Sequence, residues 1–317
     1  MSIQNFRKHF ELASKEAIRW FPGHMGKGMK IMQQKLKTVD LLIEVHDARI
    51  PFSGRNINFH DTLTAAKPTI MVLSKKDLIE KEYHRRIVEK IQNDPQFPIE
   101  NVFLANAKDP SCDGLKKIIP RAIKMIQNSN RFNRAEEKER NIMIIGVPNV
   151  GKSSLINVLR NRHLNKKGAS AVGAVAGITR SVLTQIKICE DPLIKILDTP
   201  GVLMPNIKNV EMGMKLALCS CFQDHLVGED VIADYLLYWL NKHKRFHYVD
   251  IMGLDQPTDD ITHVLFAGAQ KLGATLRMHS IASGTMEVRP NLRSAAKYFV
   301  NSFRKGQLGK LCLDELD

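Results

Sequence analysis

The string Gly146-Val147-Pro148-Asn149-Val150-Gly151-Lys152-Ser153 narrows the possible folds more than any other feature of the chain. It fits Gly-x4-Gly-Lys-Ser/Thr, follows the strand-like run Ile142 to Ile145, and precedes a helix-like run from Lys152 to Arg160. Strand, glycine loop and helix in that order make a phosphate cradle. The glycines let backbone N–H groups approach a phosphate, Lys152 can reach the β and γ oxygens, and the Ser153 hydroxyl can hold Mg²⁺. Pro148, Asn149, Val150, Gly151, Lys152, Ser153 and Ser154 are therefore expected to line a nucleotide's phosphates.

Other short apolar runs have the same habit of ending in polar residues. Leu41 to Val45 leads into His46-Asp47-Ala48-Arg49, Thr69 to Leu73 into Ser74-Lys75-Lys76-Asp77, and Val102 to Ala105 into Asn106-Ala107-Lys108. Ile194 to Leu197 leads into Asp198-Thr199-Pro200-Gly201. Continuous, β-branched runs of this length suit strands buried on both faces of a parallel sheet, and the helical patterns between them indicate α/β. Residues 129 to 140 turn polar and charged, as an exposed connector would. After Pro205 only helical patterns are evident, including the stripe Leu292, Ala295, Ala296, Phe299, Val300 and Phe303 behind a capping Asn291. The expected division is an extension over 1–18, a nucleotide domain over 19–205 and a small all-α domain over 206–317.

Asp198 lies 45 residues after Ser153, at a strand end, where a carboxylate can hold Mg²⁺ through water and the Gly201 N–H can sense a γ-phosphate. Thr179 closes a glycine-rich segment between them and is the candidate switch threonine on Mg²⁺, with Thr184 as its competitor. No Asn-Lys-x-Asp signature follows Gly201. Its nearest match, Ser74-Lys75-Lys76-Asp77, lies upstream, with Asn106-Ala107-Lys108 as the companion loop. Ligands in open parallel sheets sit at the carboxyl ends of the strands whatever their chain order, so all four motifs can share one rim. Asp77 would then pair with guanine N1–H and the exocyclic amine, and Ala107 N–H would meet O6. This is a circular permutation spliced at the connector.

That motif order, preceded by Trp20-Phe21-Pro22-Gly23-His24-Met25 and Asp47-Ala48-Arg49-Ile50-Pro51, resembles the circularly permuted ribosome-assembly GTPases of the YlqF/RbgA family, most closely its mitochondrial ribosome-associated branch. The resemblance covers nearly the whole chain from Arg19. It implies an α/β GTPase domain and a helical domain that docks on the large ribosomal subunit and its rRNA, with GTP and GDP as ligands. Val202 occupies the position of the water-orienting glutamine of small GTPases, so intrinsic turnover is expected on the order of one per hour or slower. The family's substitute maps onto His24, placed with Lys152 and Thr179 as catalytic; the other reading has His24 capping a loop or packing on Trp20. Asn149 is a candidate ligand for a K⁺ ion that replaces an arginine finger. Two departures stand out: Ser74 replaces the usual Asn, which shortens a contact near the base, and Ala176 loosens the usual Pro-Gly-x-Thr switch.

With Lys and Arg at 47 against 33 acidic residues, the net charge of +14 favours a polyanionic partner such as RNA. Five scattered cysteines without a Cys-x-x-Cys pair argue against zinc or a disulfide framework. Ile3, Phe6, Phe10, Ala13 and Ala17 recur at helical spacing among Arg7, Lys8, Lys15 and Arg19. A basic amphipathic helix of this kind suits mitochondrial targeting or peripheral inner-membrane contact, although Glu11 and Glu16 also fit a plain surface helix of a cytoplasmic protein. A monomer is expected. The rival functions are a nucleotide-gated RNA-binding adaptor and a membrane-associated GTPase.

Overall fold

The computed structural model describes residues 6–12, 24–56, 59, 62–131, 134–164, 184–203, 209–279 and 285–316. The chain divides into two compact units, one of residues 21–208, 219–222 and 310–317, the other of 1–20, 209–218 and 223–309. The sequence boundaries differ in three places: the N-terminal segment groups with the helical unit, and residues 219–222 and 310–317 group with the nucleotide-domain unit.

The first unit is built on a six-stranded sheet of β1 (Leu41–Asp47), β2 (Thr69–Ser74), β3 (Val102–Leu104), β4 (Arg140–Ile145), β5 (Thr184–Cys189) and β6 (Ile194–Asp198). Its order is β3-β2-β1-β4-β6-β5, parallel throughout except for β5 on β6. All seven residues of β1 are buried, as its apolar run and central place require. β5 was not expected. Its alternation, with Ile186 and Ile188 buried and Gln185 and Lys187 exposed, is that of an edge strand with one wet face. The helices are α1 (His24–Lys35), α2 (Lys81–Gln92), α3 (Asp113–Gln127) and α4 (Lys152–Leu164). Beneath α2, Ile87 and Ile91 pack with Ala48, Met71, Leu73 and Ile79. The connector is pinned rather than loose: Arg131 and Arg134 both reach the buried carboxylate of Asp40 at 3.2 Å. The C-terminal segment adds to this unit through Leu311 N to Leu78 O (2.9 Å) and Leu313 N to Arg49 O (2.8 Å). The Asp314 carboxylate accepts from Phe52 N and Ser53 N at 2.9 and 2.8 Å.

The second unit contains α5 (Val210–Leu218), α6 (Asp224–Val227), α7 (Glu229–Lys242), α8 (Tyr248–Met252), α9 (Ile261–Lys271) and α10 (Leu292–Arg304). The expected α10 stripe is buried from Ala295 to Phe303, and the Asn291 side chain accepts from Ser294 N at 3.0 Å. The unit is not purely helical. β7 (Thr275–His279) and β8 (Met286–Pro290) pair antiparallel, because Gly273 at φ 60° ends α9 and the residues after it lack a 3.6-residue stripe.

The expected N-terminal helix is not formed over residues 6–12. Tertiary contacts override its periodicity: Phe10 packs edge-on against Tyr235 at 5.1 Å, Phe6 lies 5.8 Å from Phe246, and Arg7 pairs with Asp234 and Asp259 at 2.7 and 3.1 Å. No helix among the described residues is long and apolar enough to cross a membrane.

Candidate phosphate and base site

The loop from Gly146 to Gly151 leaves β4 at the carboxyl rim. Gly146 has φ 146°, and a Cβ there would stand 2.3 Å from Val45 O of the neighbouring strand, so only glycine fits. Asn149 and Gly151 are also left-handed, at φ 58° and 98°. These inversions turn successive N–H groups toward one concavity at the N-terminus of α4. Lys152 begins that helix, buried, and its Nζ donates to Gly146 O at 3.1 Å and Val147 O at 2.9 Å. Burial lowers its pKa to about 8, with the Asp198 carboxylate partly offsetting the fall.

β6 delivers Asp198 beside the loop, in register with Ile144 on β4. Thr199 Oγ1 donates to Ile144 O at 2.5 Å and Val202 N to Gly146 O at 3.3 Å. A Cβ on Gly201 would lie 2.6 Å from Pro148 N and Cα, so the Asp-Thr-Pro-Gly turn rests directly on the phosphate loop. Helix α1 leans on the same turn, since a Cβ on Gly28 would touch Pro200 Cγ and Val202 Cγ2 at 3.3 Å each. His24 begins α1, but its side chain lies outside the described residues, as does the segment that contains Thr179 and Ala176.

The upstream motifs reach this loop. Ser74 ends β2, and although shorter than asparagine its hydroxyl still donates to Val150 O. Lys75, left-handed at φ 56°, donates from Nζ to Asn149 O at 2.9 Å and to Asp47 Oδ2 at 2.7 Å. Arg49 grips Asp47 with two bonds of 3.0 and 2.7 Å. Burial alone would raise the Asp47 pKa, but the charges of Arg49 and Lys75 overcome it and hold the carboxyl well below the usual range. Lys76 N donates to Ala105 O at 3.2 Å, tying the Asp77 loop to the loop after β3. Within that second loop, Lys108 N donates to Asn106 Oδ1 at 2.9 Å. Asp77 Oδ1 is buried without a hydrogen-bond partner among the described residues, while Lys108 Nζ lies 3.9 Å from Oδ2. The carboxylate as a whole has two oxygens and so the capacity to accept two N–H donors.

Three contributors were not found from the sequence. Asp47 and Arg49 entered only within a motif, and nothing marked them as the anchor of Lys75. Ser220 carried no signal at all, yet its carbonyl accepts from Asn149 Nδ2 at 2.7 Å. The flanking Cys219 and Cys221 are buried, and burial pushes the Cys221 thiol up, which keeps it a neutral neighbour of the loop. The described residues contain no cluster of three His, Cys, Asp or Glu able to hold a metal. Ser153 and Asp198 carry hard oxygen donors of the kind that suits Mg²⁺.

A profile described as "50S ribosome-binding GTPase" matches residues 141–232. "Mitochondrial GTPase 1" of Aedes aegypti is 57% identical over 98% of both chains. "Mitochondrial ribosome-associated GTPase 1" of Ictalurus punctatus is 49% identical over 98% of this chain and 96% of its own. The GNP-bound YlqF structure from T. maritima superposes with a TM-score of 0.57 at 21% identity, covering 92% of this chain and 99% of that one, a likeness of fold.

Proposed function

The chain belongs to the mitochondrial ribosome-associated GTPase 1 family, and from that membership we propose that it hydrolyses GTP on the large subunit of the mitochondrial ribosome, in subunit assembly or control of translation. The observation that carries the reading is the convergence of Ser74 and Lys75 on the phosphate-loop carbonyls of Val150 and Asn149, which supports a base-recognition motif beside the phosphate loop.

The backbone from Pro148 to Ser154 would cradle the β-phosphate, and Lys152 would exchange two loop carbonyls for the β and γ oxygens. The Ser153 hydroxyl, Asp198 and Thr179 would hold Mg²⁺, which would supply positive charge to offset that of the phosphates. Water attacks the γ-phosphorus, the bond from that phosphorus to the β–γ bridging oxygen breaks, and the water's proton passes to the released phosphate or to solvent, leaving GDP. Val202 has no group to orient that water. His24 is the proposed residue for it, supported by the seating of α1 on Pro200 and Val202 one turn beyond His24. Gly201 N–H would report the γ-phosphate. On the base, Asp77 would take N1–H and the exocyclic amine, while Asn106, Ala107 and Lys108 form the wall beside O6.

Asp77→Asn replaces an acceptor with a donor, so XTP should displace GTP as the preferred nucleotide; retained GTP preference in competition binding would remove Asp77 from base recognition. Asn149 would offer Oδ1 to a K⁺ ion, since its Nδ2 serves Ser220 O. Turnover should then be higher in K⁺ than in Na⁺ at equal ionic strength, and equal rates would refute the ion site. Peripheral membrane contact through the N-terminus would require Phe6 and Phe10 to leave Phe246 and Tyr235. That favours the ribosomal reading over the membrane one.

A further inference from the structure

We propose that the outer face of α3, with the groove beside the edge strand β3, is a contact for the phosphate backbone of RNA. The proposal rests on the ribosomal reading but places the contact on the nucleotide-domain unit, at a surface distinct from the nucleotide rim. Helix α3 buries Leu115, Ile118, Ile119, Ala122 and Ile126 against its own unit. Its outward positions hold Lys116, Lys117, Arg121 and Lys124, which line a groove of about 600 Å³. Glu100 is the sole carboxylate among the lining residues.

The state of these cations distinguishes them from Arg293, Lys297 and Arg304, the basic residues of α10. Arg293 and Lys297 both reach Glu229, at 3.1 and 3.5 Å. Arg304 is fixed more firmly, with two bonds of 2.7 Å to Asp224 and further bonds to Leu218 O and Ala217 O. Those charges are committed within the helical unit. On α3 only Lys116 has a carboxylate partner, the neighbouring Asp113. Lys117, Arg121 and Lys124 form no ion pair among the described residues, and Arg121 Nε donates to Asn101 Oδ1 at 2.5 Å, which aims the guanidinium. These three stand at i, i+4 and i+7, one stripe about 10 Å long on the helix axis. A strand of nucleic acid passes about three phosphates over such a length.

An acidic peptide added to the sheet edge fits less well. Strand addition needs a run of outward N–H and C=O groups, but β3 has three residues. At one of them, Leu104, the carbonyl is covered by the start of α3, with Gly114 so close that a Cβ there would stand 1.9 Å from it.

Full-length protein would be titrated with a short generic RNA duplex across a salt series, with poly-glutamate as the anionic protein probe. Lys117→Glu/Lys124→Glu should weaken duplex binding about tenfold or more at about 0.1 M salt and flatten the log–log salt slope by roughly two units. Lys117→Arg/Lys124→Arg should bind like the unaltered chain, Arg293→Glu/Lys297→Glu should weaken binding far less, and all three should keep unaltered GTP affinity. An unaltered salt curve for the α3 Glu variant overturns the proposal, as does equal weakness of the Arg variant. Poly-glutamate binding as tightly as RNA at equal charge would assign the groove to an acidic peptide instead. Co-sedimentation with large subunits separates the underlying reading: if the unaltered chain fails to sediment while its Lys117- and Lys124-dependent duplex binding persists, the ribosomal reading falls and the RNA contact stands.

Discussion

Lys152 holds a charge that its surroundings disfavour. Burial draws its pKa down to about 8 from the usual 10.5, against the partial support of Asp198. For a lysine the depressed value means that the unfolded chain binds more protons between pH 8 and 10.5. Folding stability at this residue therefore rises with pH in that window and carries the full burial cost below pH 8. Nucleotide binding runs the other way. Phosphate oxygens favour the ammonium, so binding takes up a proton above pH 8, and GTP affinity should be flat below that point and fall by up to about tenfold per unit above it. Calorimetric titration between about pH 7 and 9, in buffers of different ionisation heat, measures both affinity and proton uptake; constant affinity with no uptake would place the phosphates away from Nζ. The phosphate loop itself was legible because its chemistry is local: glycines, lysine and serine act within eight residues of chain. Ser220 and Asp47 were not, since their roles arise from partners 71 and 28 residues distant.

Among the elements, α1 is the one proposed to set the geometry of catalysis. It meets the Asp-Thr-Pro-Gly turn at Gly28, where a Cβ would press on Pro200 Cγ and Val202 Cγ2 at 3.3 Å. His24 opens the same helix, and a group that orients water acts mainly in the transition state. His24→Ala should accordingly lower subunit-stimulated kcat by about ten- to a hundredfold while GTP affinity stays within about twofold. Equal losses in kcat and affinity would give His24 a structural part instead. Five strands could be read directly from their apolar runs. The β7–β8 hairpin could not, because its strands are largely exposed and the apolar signal is weak. The α10 cations were visible as charges, but their neutralisation by Glu229 and Asp224 depends on helices brought together by the core.

At the level of the whole molecule, the permuted order divides the sheet into two contiguous halves, β1 to β3 and β4 to β6, joined where β1 meets β4. The first half has its parts early in the chain, and the phosphate loop arrives with the second. Whether the chain leaves a ribosome or threads through an import channel, its amino end comes first. Until β4 follows, β1 is an edge bearing Leu41, Leu42, Ile43 and Val45, all buried in the finished fold. At ordinary synthesis rates the stretch from Asp47 to Ile145 takes roughly 5 to 20 s to appear. Stalled chains ending at residue 131 should therefore be protease-sensitive and held by chaperones, and chains that expose residue 203 should become protected; protection at the shorter length would show that the half-sheet stands alone. GTP cannot rescue the early intermediate, because its phosphate loop has not yet been made. The rearranged motif order thus imposes a birth order in which a fully buried strand waits as an open edge, with no ligand to shelter it.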